Sequence, residues 1–124
     1  MIKKILAVTV FGLSALSLNV ALAHGDAKAR HGGVAAMAGD LAFELVGTPT
    51  GAALYVEDHG KPMAPIGMSG KLTVLKGGEK TEADFAVAGD KLEAKGVKLE
   101  AGAKVVASLT TPAKKAITVR FTVK

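Results

Sequence analysis

The amino-acid sequence predicts an all-β protein, an antiparallel β-sandwich of about seven strands and immunoglobulin-like size, preceded by a cleaved signal peptide. Three observations predict it. Apolar residues alternate with period two through almost the whole chain after residue 24. Turn-forming clusters of Gly, Pro, Asp and Thr break that alternation at close, regular intervals. No segment in the same region sustains a helical period.

At the amino end, Lys3 and Lys4 precede an apolar stretch from Ile5 to Leu18, and Asn19-Val20-Ala21-Leu22-Ala23 follows. Positive, apolar and small-residue regions in that order form a secretory signal, with Ala21 and Ala23 at the positions a signal peptidase reads. Cleavage is expected after Ala23. The apolar stretch falls short of the roughly 20 residues needed to span a bilayer, so no stable membrane insertion is expected after cleavage. The division expected is a signal peptide over 1–23, a flexible amino-terminal arm over 24–33 and the β-domain over 34–124. The arm contains no apolar side chain larger than alanine, and so lacks the means for hydrophobic docking.

The strands follow in order. Leu41, Phe43 and Leu45 share one face of a first strand, with Ala42, Glu44 and Val46 on the other. The same alternation places Leu54 and Val56, Leu72 and Val74, Phe85 and Val87, Leu92 and Ala94, Val105, Ala107 and Leu109, and Ile117, Val119, Phe121 and Val123 toward a core. Lys91 to Lys98 mixes alanine with charges in a helix-like composition, but Gly96 interrupts it, and it reads as strand. Between the strands lie reversing turns such as Gly47-Thr48-Pro49-Thr50-Gly51, Asp58-His59-Gly60-Lys61-Pro62 and Lys76-Gly77-Gly78-Glu79. A small closed barrel is the main alternative to the sandwich.

Composition excludes several functions. Cleavage after residue 23 of the 124 leaves 101, enough for one domain with a modest core. The net charge of +5 falls to about +3 without Lys3 and Lys4. That surplus is spread along the chain with few aromatics between, which argues against nucleic-acid binding. There is no cysteine, hence no disulfide, no thiolate metal site and no blue-copper centre. No Ser-His-acid arrangement, phosphate-binding glycine loop or paired carboxylates emerge, so the chain reads as a non-enzyme. A copper monooxygenase built on an amino-terminal histidine would lack an aromatic platform for a polymer substrate.

The soft and borderline metal donors of the mature chain are His24, His31, His59, Met37, Met63 and Met68. Cleavage after Ala23 would give His24 a free α-amine beside its imidazole, a chelate suited to Cu(II) or Ni(II), and both groups release protons to a metal near neutral pH. Asp26 and His31 on the same arm could complete a square of nitrogen and oxygen donors. A second group, His59 with Met63 and Met68, joins one imidazole to two thioethers, which prefer Cu(I). For that loop, a tight turn at His59 with methionines filling the core is the preferred reading, and Met63 and Met68 stand as optional donors.

The stretches His31-Gly32-Gly33-Val34, Ala38-Gly39-Asp40-Leu41-Ala42-Phe43-Glu44-Leu45-Val46, Leu54-Tyr55-Val56-Glu57-Asp58-His59-Gly60-Lys61-Pro62 and Gly70-Lys71-Leu72-Thr73 resemble small exported proteobacterial β-domain proteins. They are also similar to the small β-domain near the start of some periplasmic adaptor subunits of heavy-metal efflux pumps. The resemblance covers residues 31 to 124 and rests mostly on strand and turn residues. It implies a periplasmic location and a link to metal homeostasis, with a metal-efflux complex as partner, and it carries no catalytic residue. The long helical hairpin and membrane-fusion domains of those adaptors have no counterpart in this sequence. The expectation is therefore a periplasmic protein binding copper through His24, Asp26, His31 and His59, with Met63 and Met68 as optional thioethers. The alternative is a metal-free module that docks on another envelope protein through a sheet edge or its loops.

Overall fold

A computed structural model describes residues 27–124. The expected signal peptide over 1–23, together with His24 and Asp26, lies outside the described residues. Among the described residues nine strands are present: β1 (Val34–Ala38), β2 (Leu41–Thr48), β3 (Gly51–Asp58), β4 (Lys61–Met63), β5 (Ser69–Lys76), β6 (Glu79–Ala88), β7 (Lys91–Lys95), β8 (Lys104–Thr110) and β9 (Ala116–Thr122). No helix occurs among the described residues, and none is therefore long and apolar enough to cross a membrane.

All pairings are antiparallel, in the order β1-β2-β3-β7-β6-β5-β8-β9, with the short β4 also paired to β3. This is one continuous sheet rather than two facing ones. Continuity runs through β6: its first half pairs with β5, from Lys76↔Glu79 to Lys71↔Asp84, and its second half with β7, from Phe85↔Ala94 to Ala88↔Lys91. A strand that changes partners midway lets a single sheet curl round toward closure. The first and last strands, β1 and β9, lie side by side, so the sheet is nearly closed into a barrel. The all-β antiparallel expectation holds, while the arrangement follows the barrel alternative.

Alternation sets the two surfaces. Phe43, Leu45, Leu54, Val56, Leu72 and Leu92 are at most 2% exposed and fill the interior. Val87 departs from the expected inward pattern and is 43% exposed, one residue before the end of β6. The β3–β4 reversal is a two-residue hairpin in which Asp58 pairs with Lys61 and both central residues, His59 and Gly60, have positive φ. That geometry matches the right-handed twist of the flanking strands.

Candidate functional site

Because Phe43, Leu45, Leu54 and Val56 point inward, the intervening residues of β2 and β3 face outward. Glu44 and Tyr55 are directly opposed across that outer face, with Glu57 two residues further along β3. Alternation alone would leave Glu44 in solvent, yet it is only 5% exposed. The segment Arg30–Gly33 crosses above it.

The docking is polar. The Glu44 carboxylate accepts the backbone N–H of Arg30 at 2.9 Å, of His31 at 2.8 Å and of Gly33 at 2.8 Å, and meets the His31 Nδ1 at 2.8 Å. Arg30 adds an ion pair from its Nε to Glu57. The expectation for this arm considered only apolar docking, which its composition does not permit; one buried carboxylate supplies the alternative. The two glycines have separate roles. Gly32 turns the chain at a φ of +80°, and a Cβ at Gly33 would stand 2.1 Å from the Leu45 carbonyl oxygen, so no larger residue fits there without movement.

Burial works to raise the Glu44 carboxyl, but the ring of His31 and the backbone N–H groups of Arg30, Gly33 and His31 outweigh it and hold the group below its ordinary value. Glu44 is therefore ionised at neutral pH and can only accept hydrogen bonds. His31 Nδ1 must then be the donor, which in the neutral ring leaves the lone pair on Nε2. The imidazole lies flat on Tyr55, with ring centroids 3.8 Å apart and planes 6° from parallel. Its side chain remains 43% exposed. The ring is thus fixed in both tautomer and plane, yet open at one nitrogen. Beside it, a cavity of 190 Å³ is lined by Lys28, Arg30, His31, Tyr55, Glu57 and Pro62, among others.

Of the predicted donors, the described His59, Met63 and Met68 stand apart from this site. His59 sits in the exposed β3–β4 turn with its Nδ1 2.6 Å from Asp58, and it does not line the cavity at His31. Met68 is 6% exposed within the hydrophobic core, and Met63 packs against that core. Both methionines follow the packing reading of their loop. Among the described residues, no group of three His, Asp or Glu side chains is placed to hold a metal ion. Any site built on His31 must therefore draw further donors from elsewhere, and His24 and Asp26 are the sequence candidates.

Glu44, Tyr55, Arg30 and Glu57 were not singled out by the sequence. One signal could have found the first pair. A two-residue turn at Pro49-Thr50 fixes the hairpin register Thr48↔Gly51 and, counting back, Glu44↔Tyr55. No family model, curated protein or solved structure matches this chain. The molecule is accordingly defined by its own geometry, a nearly closed antiparallel barrel with a polar-docked arm presenting one oriented imidazole.

Proposed function

We propose that this protein is an exported, periplasmic transition-metal-binding protein, that its metal is copper, and that it serves as an accessory to metal efflux. His31 Nε2 is the anchoring ligand, and His24, with the α-amine freed by cleavage after Ala23, and Asp26 supply further donors. The observation that carries this reading is the His31–Glu44 contact. Metal-binding histidines characteristically donate their second nitrogen to a carboxylate, which fixes the ring and raises its basicity as a ligand. Histidine nitrogens and an amine suit Cu(II), and a chain without cysteine has no thiolate to compete for it. From His24 to His31 the chain is short enough for the donors to converge and long enough to fold back.

Calorimetric titration of signal-cleaved protein with Cu(II), and with Ag(I) as a stand-in for Cu(I), beside a His24→Ala/His31→Ala variant, tests the proposal. Stoichiometric, sub-micromolar Cu(II) binding that the variant loses is the expected result. Binding no tighter than that of an unstructured histidine peptide would retire the metal reading in favour of a metal-free envelope interaction module, to be pursued by crosslinking.

A further inference from the structure

In a fully closed barrel the first and last strands share a ladder, and here they do not. β1 pairs only with β2 and β9 only with β8, although Cα atoms of β1 and β9 come within 8 Å of each other. They are two edge strands set side by side. Neither contains a proline, and Arg120 is the only charge on them. An edge with so little protection pairs readily with another extended chain.

The direction of the free backbone groups follows from one residue. Val123 donates its N–H to the Ala103 carbonyl at 2.9 Å and accepts the Gly102 N–H at 2.8 Å, so both its polar groups turn toward the β8 side. These groups alternate sides along a strand. Thr118, Arg120 and Thr122 therefore aim N–H and C=O away from β8, into the seam with β1. Their side chains are exposed on the outer face, while those of Val119 and Phe121 are buried. A groove of 270 Å³ follows the seam, lined by Arg120, Thr122 and Lys124 from β9 and the chain after it, and by Ala29, Val34 and Ala35 from the arm and β1. No Asp or Glu lines it. Arg120 takes part in no ion pair among the described residues.

We propose that this seam is a docking site for an extended acidic segment of another protein, which pairs with the β9 edge at Thr118, Arg120 and Thr122. Carboxylates on the outward side of that segment meet Arg120, and the residues between them are apolar and turn toward the Val119 and Phe121 side of the sheet. A strand seated between two others needs them about 9.6 Å apart, so the seam has to widen. β1 is the strand that gives way, since none of its 5 residues is buried. A second copy of the chain is the poorer occupant: pairing β9 with β9 sets two Arg120 side chains close together on one outer face, and like charges there oppose it. This docking needs no metal and is independent of the copper reading.

The test is a proton–nitrogen NMR titration of the signal-cleaved protein with a synthetic peptide alternating glutamate and valine, beside a lysine–valine peptide of equal length and inorganic polyphosphate. The acidic peptide should shift the amides of Thr118, Arg120 and Thr122 and slow their exchange with solvent, and the two comparison ligands should not slow it. Arg120→Glu, a substitution at an exposed position, should weaken the acidic peptide roughly tenfold and favour the lysine peptide. Thr118→Pro removes an N–H that faces the seam rather than β8, so it should weaken the same peptide with the β8–β9 ladder intact. Should that variant fail to fold, Arg120→Glu decides. No binding of the acidic peptide, equal binding of the lysine peptide, undiminished binding by Arg120→Glu, or binding that leaves the three amides unprotected overturns the proposal. Polyphosphate binding as tight as the peptide's, without slowed exchange from either, would make the groove a general anion site and overturn it as well.

Discussion

Substituting Glu44 by Gln should release the arm while leaving the barrel standing, and the size of the effect follows from the four contacts. Oε1 accepts Arg30 N at 2.9 Å and His31 Nδ1 at 2.8 Å, and Oε2 accepts His31 N and Gly33 N at 2.8 Å each. An amide keeps one acceptor and turns the other into a donor, so one of these pairs would face N–H against N–H. Hydrogen bonds to an ionised group contribute about 1.5–3 kcal/mol each, and the lower end applies here because Arg30 and His31 are partly solvated. Against them stands the cost of fixing the backbone from Arg30 to Gly33, about 1–2 kcal/mol per residue. The two nearly balance, so docking is favourable by a few kcal/mol at most. Losing two bonds and weakening the rest by about half removes roughly 3 kcal/mol or more. At about 1.4 kcal/mol per tenfold change, the docking equilibrium constant falls by at least ~100-fold. Tyr55 is the only tyrosine and there is no tryptophan, so tyrosine emission and near-ultraviolet circular dichroism report directly on the His31 stack. Both should move toward the values of a solvent-exposed tyrosine, and amide exchange at His31 and Gly33 should accelerate, with the far-ultraviolet spectrum unchanged. An unaltered Tyr55 signal with retained protection at His31 and Gly33 would refute the reasoning.

Acid should have the same effect on the unmodified, metal-free protein. The Glu44 carboxyl lies below its ordinary value near 4.5 when docked, so the undocked chain binds more protons. The stabilisation is complete above the ordinary carboxylate range and is lost as pH falls through the depressed value. The groups facing Glu44 are the His31 ring from the arm and Tyr55 from β3, with the Arg30–Glu57 pair beside them. The expected acid transition in Tyr55 dichroism should be absent from Glu44→Gln; a transition at or above the ordinary carboxylate range would contradict the assignment. Gly33→Ala should also undock the arm, since its Cβ meets a backbone oxygen that cannot step aside, and native-like protection at His31 in that variant would count against the close approach. Met68→Leu should cost less than about 1.5 kcal/mol and Met68→Ala about 2–5 kcal/mol in denaturant unfolding. Met68→Leu should also retain full copper affinity, and a loss would mean that the buried thioether does bind metal.

Much of the barrel was legible because period-two alternation and turn chemistry act locally. Leu54, Leu72, Leu92, Val105 and Phe121 were all expected inside and are buried. The strands that escaped notice are those with weak local signals. β1 is Val-Ala-Ala-Met-Ala, too uniform in size to show a face, and β4 is three residues long with Pro62 at its centre. Whether the sheet forms a sandwich or a barrel depends on β6 changing partners midway, a tertiary event that turn spacing does not encode. The candidate site divides along the same line. His31 was visible as a donor type, and Met63 and Met68 as core fillers. Glu44 was not, because its burial arises from a segment distant in sequence that folds over a solvent face. The arm was judged on apolar content alone, and a polar docking partner on another strand leaves no mark on the arm's own composition.

The central claim, that an oriented His31 anchors a copper ion, is tested most directly by titrating signal-cleaved protein with Cu(II) while following Tyr55 emission, because a paramagnetic ion held at the ring stacked on Tyr55 quenches it. The account predicts quenching that is complete at one equivalent, reversed by a chelator and abolished by His31→Ala. Tight calorimetric binding that leaves Tyr55 emission untouched would place the metal elsewhere, and quenching that rises only with excess copper and persists in His31→Ala would contradict the claim outright.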